Sequence, residues 1–515
     1  MKPSFLYGSD LLTAAKAISL SRGELQGVID PETLERVNKS SAIVGQIVAS
    51  DKVVYGINTG FGPLCTTRIS AEDTTKLQEN LLKSHAVGVG QPIEKSLAKL
   101  MLVLKVHALA KGYSGITENT LLRILWHIDN NIIPVVPSQG SVGASGDLAP
   151  LSHLFLPLIG LGKVYHKNRV EETGAVLQQL NIRPITLSAK EGLALINGTQ
   201  FIAAHAVYAV QQMQNLLDNA DITGALMIEG LLGSVKPFHP DLHKLRAYSG
   251  SMHVANTIYT LLSDSEINTS HADCTRVQDP YSLRCIPQVH GAARSTWMHL
   301  KEQVEIEINS VTDNPVIINN ELTISGGNFH GEPLALPLDY ACLAVSELGN
   351  ISDRRVYLSL EGTVPNVPKL LMKETGLNSG FMIVQYTSAA LASENKGLCF
   401  PASADSIPTS LGQEDHVSMG SISGRKLLQV IANTEKILGI ELLCAAQAVD
   451  FHAPLKSGKA LQAIHNHVRR LIPYIEHDQV LLDILEKAIS IIRSGELPRL
   501  VKQYTGFYNQ TFDGF

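Results

Sequence analysis

The chain predicts a mostly α-helical fold: a long-helix bundle core with a smaller, loop-rich helical domain at its N-terminal end. Three observations point there. From about residue 200 onward, apolar residues recur at helical spacing over long stretches. Residues 427–446 are apolar over most of the helical circumference, which is the pattern of a helix buried inside a bundle. No βαβ alternation, internal repeat or low-complexity segment is present, so nothing indicates a parallel sheet or a solenoid. The expected division is residues 1–200 for the loop-bearing domain and 201–515 for the long-helix core with its C-terminal helices.

Composition narrows the function. Of 515 residues, 44% are hydrophobic, enough for a large core, and 42 basic against 48 acidic residues give a net charge of −6. Charges of one sign form no long run, which argues against nucleic acid as a partner. The six cysteines (65, 274, 285, 342, 399 and 444) show no C-x-x-C spacing, as suits a reducing compartment. Met1-Lys2-Pro3-Ser4-Phe5 lacks the apolar run of a signal peptide, and no apolar stretch is long enough for a bilayer. The expectation is a soluble, cytoplasmic protein with no membrane contact.

Taken in order, Asp30-Pro31 opens a helix through residue 49, and residues 71–86 form another. Between them, Tyr55-Gly56-Ile57-Asn58-Thr59-Gly60-Phe61-Gly62 reads as an ordered loop carrying a tyrosine. Pro134-Val135-Val136-Pro137 is extended, since each proline biases its predecessor away from the helical region. Asp147 starts a helix with an acid in its first turn. Ser188 to Glu191 reads as a capping box, and Asn197-Gly198 then interrupts an apolar helical run.

Further on, residues 263–287 form a polar linker in which His271, Asp273, Cys274 and Cys285 fit no ordinary zinc pattern. His239 and His243 stand four apart without the H-E-x-x-H motif, so no metal site is assigned. Residues 289–311 form a helix ended by Asp313-Asn314-Pro315. Residues 316–318 and 322–324 flank Asn319-Asn320 as a small hairpin. Pro337 suits the first turn of a helix whose stripe is Tyr340, Leu343, Ala344, Leu348 and Ile351.

The stretch with the most chemical content is Gly140-Ser141-Val142-Gly143-Ala144-Ser145-Gly146-Asp147. Three glycines and no large side chain allow a tight fold of the backbone. Neither the dinucleotide fingerprint nor the phosphate-loop pattern fits it. As a plain turn before a helix it would bind an anion. As a compressed turn it offers different chemistry. The Gly146 nitrogen can attack the Ala144 carbonyl and, as that oxygen leaves as water, close a five-membered ring, and loss of a second water from Ser145 then leaves an electrophilic methylene.

Residues 140–153, G-S-V-G-A-S-G-D-L-A-P-L-S-H, resemble the signature of the aromatic amino acid ammonia-lyases. Further blocks are similar over most of the chain. These are Y-G-I-N-T-G-F-G from Tyr55, E-G-L-A-L-I-N-G-T from Glu191, Q-D-P-Y-S-L-R-C from Gln278, G-G-N-F-H from Gly326 and Q-E-D-H-V-S from Gln413. The resemblance implies that Ala144, Ser145 and Gly146 cyclise autocatalytically to a methylidene-imidazolone (MIO), with no external cofactor. It implies Tyr55 as general base, with Tyr281 as the alternative, and Arg284 as the grip on the substrate carboxylate. A guanidinium fork suits that grip. It places Asn197 and Gln278 at the MIO, Phe329 near it, and His85 and Glu414 at the substrate ring.

Ser84-His85 and Glu414 are the histidine-type choice, because a carboxylate can pair with an imidazole and not with a phenyl ring. The implied reaction is therefore conversion of L-histidine to trans-urocanate and ammonia, the first step of histidine degradation. It would take place in a homotetramer whose active sites draw residues from several subunits. Tyrosine ammonia-lyase and aromatic 2,3-aminomutase activities share the loop and remain as alternatives. So, remotely, does a non-catalytic helical scaffold. The helical fumarase/aspartase lyases are disfavoured, because no G-S-S-x-M-P-x-K-x-N block is found.

Overall fold

The computed structural model describes residues 3–50, 53–60, 69–70, 73–272 and 277–505. Long helices dominate it, and the strands are at most four residues long. It consists of two compact units: Met1–Tyr208 with Leu300–Asp339 and Pro401–Arg425, and Ala209–His299 with Tyr340–Phe400 and Lys426–Phe515. The division expected at residue 200 is linear, whereas these units are not. Four of their five boundaries fall inside long helices, Gln200–Gly230, Ile286–Glu307, Glu332–Ser359 and Gly420–Asp450, and the fifth lies between Phe400 and Pro401, so the chain passes repeatedly from one unit to the other.

In the first unit the Lys95–Leu109 helix is buried from Leu97 to Leu109 except at Lys99, which makes it the unit's central rod. The Pro31–Ala49 helix starts as its sequence dictates. Pro31 takes the first helical position, and the Asp30 carboxylate accepts the Thr33 N–H at 2.7 Å. Its apolar side, with Ile43, Val44 and Ile47, packs with Ile57 and Ile317. The small hairpin is present, with Val316–Ile317 antiparallel to Thr323–Ile324. Residues 134–137 are extended as expected: Ile133–Pro134 pairs with Lys163–His166, and Pro137–Gln139 pairs with Val89–Pro92. The parallel pair Ser4–Leu6 and Gln26–Val28 was not anticipated, since three residues carry too little alternation to read.

In the second unit, Trp297 is fully buried and donates its indole N–H to the Val210 carbonyl at 2.8 Å. The helix expected over residues 427–446 is the middle of Gly420–Asp450, where Leu442, Leu443, Cys444, Ala445 and Ala446 are all fully buried. Its Glu441 carboxylate accepts Arg355 Nε at 2.5 Å and Nη2 at 2.9 Å, with both side chains fully buried.

Several local expectations need correction. Pro337 is inside the Glu332–Ser359 helix, not in its first turn; Pro333 occupies that turn. The expected stripe holds only in its second half. Leu348 and Ile351 are buried, but Tyr340 and Leu343 are about half exposed, and the buried face beside them carries Ala341, Cys342 and Val345. The capping box forms only in half: Glu191 accepts the Ser188 N–H, but it begins the Glu191–Ile196 helix and is not three residues into it. Its other oxygen accepts from Thr117. Asp147 is an N-cap residue without a side-chain bond to its own helix. In the linker, Asp273 and Cys274 are outside the described residues, as are Cys65 and residues 61–62 of the tyrosine loop.

Candidate active site

The glycine-rich loop is folded as tightly as its composition allows. Gly140, Gly143, Ser145 and Gly146 all have positive φ, at +121°, +79°, +51° and +80°. Gly146 lies directly against Gly198: a Cβ at residue 146 would stand 2.1 Å from the Gly198 carbonyl oxygen. The Asn197-Gly198 break in the apolar helical run is what admits this contact. Asn197 Nδ2 and the Gly198 N–H donate to the Ser145 carbonyl at 3.0 and 3.3 Å, and the Asp147 N–H donates back to Gly198 at 2.8 Å.

Asp147 ties the loop to the Gln200–Gly230 helix. Its fully buried carboxylate accepts the N–H groups of Phe201 and Ile202, both at 3.0 Å, in the first turn of Gln200–Gly230. Burial pushes its pKa up to about 7, although these bonds act the other way.

The loop faces a cavity of about 570 Å³ lined by Tyr55, His85, Ser145, Asn197, Phe329 and Glu414, among others. Six sequence-selected residues therefore come together, all within the first unit. Tyr55 is half-buried in a loop pinned by Asn58, which accepts the Val54 N–H at 2.9 Å, and by Thr59, which accepts the Gly56 N–H at 3.1 Å. His85 ends the Thr74–His85 helix, with Ser84 Oγ 2.9 Å from its Nδ1. Burial lowers its pKa, opposed by the Leu81 main chain and by the Glu414 carboxylate. Glu414 Oε1 accepts the Ser145 hydroxyl at 2.7 Å. Ala144 and Gly146 flank Ser145 on the loop, and Ala144 is buried against Val417 and Met419.

Gln278, Tyr281 and Arg284 belong to the second unit and do not line this cavity. They form a cluster of their own. Arg284 Nη2 donates to Gln278 Oε1 at 3.1 Å, and its guanidinium lies 4.6 Å from the centre of the exposed Tyr281 ring.

Sequence reading missed a layer of polar residues in and behind the wall. Asn80, Asn314, Ser325, Ser410 and Gln413 also line the cavity. Asn314 donates to Ser325 Oγ at 3.0 Å and accepts the Gly326 N–H at 2.7 Å, fixing the start of the loop that carries Phe329. Behind these are two fully buried lysines. Lys105 Nζ donates to the Asn197 carbonyl at 2.7 Å, and Lys190 Nζ donates to Asp313 at 2.9 Å. The Asp313-Asn314-Pro315 run carried a readable signal, because an Asp-Asn pair is more than a helix stop. The lysines carried none.

Among the described residues no group of three or more His, Cys, Asp or Glu could hold a metal ion. His239 accepts the Asp241 N–H, and His243 Nε2 pairs with the Pro237 carbonyl. Nor is any described helix long and apolar enough to cross a membrane.

The aromatic amino acid lyase family model matches residues 12–470. The chain belongs to that family. Histidine ammonia-lyase of Myxococcus xanthus is 45% identical over 98% of this chain and 99% of its own length. The crystal structure of histidine ammonia-lyase from Trypanosoma cruzi aligns with a TM-score of 0.91 at 39% identity, covering 99% of this chain and 97% of the other. The tyrosine aminomutase from Streptomyces globisporus aligns at 0.92 with 32% identity, covering 99% and 100%.

Lyases of this family depend on MIO. The residues present fit that group. The turn has left-handed φ at Ser145 and Gly146, a Gly146 with no room for a Cβ, and two donors on the Ser145 carbonyl. The side-chain oxygen of Asn197 is buried beside it without a partner among the described residues.

Proposed function

We propose that this chain eliminates ammonia from L-histidine to give trans-urocanate, using an MIO formed from Ala144, Ser145 and Gly146. The observation that carries the substrate is Glu414 in the cavity wall with His85, since a carboxylate in that place suits an N–H-bearing ring. The histidine ammonia-lyases that resemble the chain nearly end to end support the same reading.

The elimination faces two barriers: a weakly acidic β-hydrogen and a poor leaving group. When formed, MIO supplies the electrophile that turns the amine into a better leaving group. Tyr55 is the general base for the β-proton, with Tyr281 as the alternative. Arg284 grips the carboxylate through its planar fork. Asn197 and Gln278 support the MIO, Phe329 packs beside it, and His85 and Glu414 read the imidazole. The active assembly is a homotetramer with shared sites, in the cytoplasm.

The test combines intact mass with a substrate panel of L-histidine, L-tyrosine and L-phenylalanine, followed by ultraviolet absorbance and amino-acid analysis. The expected mass is below the sequence mass by two waters, and the expected preference is for histidine with release of ammonia. An unreduced mass would remove the electrophile. Preference for tyrosine would overturn the substrate, and a β-amino acid product would indicate an aminomutase.

A further inference from the structure

The segment that carries Glu414 closes on itself. The Thr409 N–H donates to the Glu414 main-chain carbonyl at 2.9 Å, and the two residues form an isolated antiparallel bridge. Both hydroxyls at the start of the segment also reach the Glu414 carboxylate. Thr409 Oγ1 and Ser410 Oγ donate to the same oxygen, Oε2, at 3.0 and 2.9 Å. Between the ends of this clamp the backbone bends through the left-handed region, with φ of +51° at Ser410, +56° at Leu411 and +85° at Gly412. Two consecutive non-glycine residues there are uncommon and strained. The strain does not serve burial, because Leu411 is 94% exposed. It accompanies a turn that sets Ser410, Gln413 and Glu414 into the cavity wall.

We propose that Thr409 and Ser410 are positioning residues for substrate choice: by holding Oε2 of Glu414 they aim Oε1 at the substrate ring and favour a ring that carries an N–H. The inference rests on the reading of Glu414 as the ring's partner and adds what fixes that partner in place. With two donors on Oε2, rotation of the carboxylate would break two bonds at once. The remaining oxygen, Oε1, accepts the Ser145 hydroxyl at 2.7 Å in the uncyclised chain. That hydroxyl leaves as water when the ring forms, so Oε1 loses this donor and is left for the substrate. A phenyl ring cannot supply the missing donor, and a site built for a hydrogen bond rejects a ligand that lacks one.

The experiment compares wild type with Thr409→Val/Ser410→Ala and with Thr409→Ser, all as full chains. Intact mass, thermal midpoint, kcat and KM for histidine, and the inhibition constant of phenylalanine are measured. The double variant should keep the two-water mass deficit and the wild-type melting behaviour. Its KM for histidine should rise roughly tenfold to a hundredfold with a smaller change in kcat, the scale of lost bonds to a charged group. Phenylalanine inhibition should not move, and Thr409→Ser should behave as wild type.

If histidine KM is unchanged, or histidine and phenylalanine weaken together, the clamp does not select the ring. A double variant that loses the mass deficit or melts early would show that the hydroxyls hold the loop and not the choice of ring. A wild type that prefers tyrosine overturns the substrate reading and this inference with it. A histidine-preferring wild type whose ratio the double variant leaves unaltered overturns this inference alone.

Discussion

Ser145 and its neighbours show how little space the chemistry leaves. At Gly146 a side chain is excluded twice, by a φ of +80° and by the Gly198 carbonyl 2.1 Å from any Cβ. Gly146→Ala should therefore push the Ala144-Ser145-Gly146 turn away from Gly198. The expected product is a folded chain at full sequence mass with no turnover, read by mass spectrometry and circular dichroism. A variant lighter by two waters would show that close contact with Gly198 is not what compacts the loop. One step behind, Lys105 is a titrating residue in a dry place. Burial pushes its pKa down to about 7 from 10.5, with Lys190 adding to the fall and Asp313 and Asp147 opposing it. Because the folded value is below the unfolded one, the unfolded chain holds the extra proton between pH 7 and 10.5. The stability associated with this lysine is thus present above 10.5 and lost as pH falls through 7. Lys105→Met removes that dependence, so its stability relative to wild type should improve on going from pH 10 to 7, by up to about 1.4 kcal/mol per pH unit. Denaturant unfolding of both proteins at several pH values measures it; parallel curves would mean that Lys105 keeps an ordinary pKa in the fold.

Between elements, the Arg355–Glu441 pair joins the Glu332–Ser359 and Gly420–Asp450 helices within the second unit, with Ser352 Oγ donating to the same carboxylate. Glu441→Gln leaves a guanidinium buried without its counter-charge and should cost about 3–5 kcal/mol in unfolding free energy. Replacing both partners together, as Arg355→Met with Glu441→Leu, should cost less, because no charge is stranded. Equal losses would show that packing, not charge, sets the cost. The sequence made this contact unreadable, since nothing local distinguishes a buried glutamate on an apolar helix from one on its wet edge. What was legible had a local physical cause. The Asp30-Pro31 start, the turn around Asn319-Asn320 and the all-round apolarity of residues 427–446 are each written within a few positions. Pro337 misled because two prolines stand four apart and only Pro333 occupies the first turn. Asp147 misled because its partners, Phe201 and Ile202, are over fifty positions away. The cavity shows the same division: Tyr55, Ser145, Asn197 and Glu414 sit in unusual runs, whereas Lys105 reaches the site only through contacts with Asn197 and Gln200, over ninety positions away.

For the whole molecule, Gln278, Tyr281 and Arg284 decide how the site is assembled. Within one chain they are in the second unit, bonded to one another and partly exposed, and they do not line the cavity that holds Ser145. Yet the proposed reaction needs a cation for the substrate carboxylate. The family likeness from which Arg284 is proposed as that cation also implies sites shared among subunits. The exposed Tyr340, Leu343, Ile383 and Tyr386, each at least half exposed, give a second copy something apolar to cover. If Arg284 serves the cavity of a neighbouring copy, two impaired variants should rescue one another. Ser145→Ala cannot form the electrophile. Arg284→Lys loses the planar fork and should turn histidine over far more slowly. Neither homo-oligomer should reach wild-type turnover, but in a mixed assembly some sites combine an intact Ser145 from one copy with an intact Arg284 from another. Where two copies build each site and mix at random, roughly one site in four is whole. Co-expressed variants, purified through two different tags, should therefore show histidine activity well above the mean of the parents. Activity equal to that mean would place Arg284 at the cavity of its own chain.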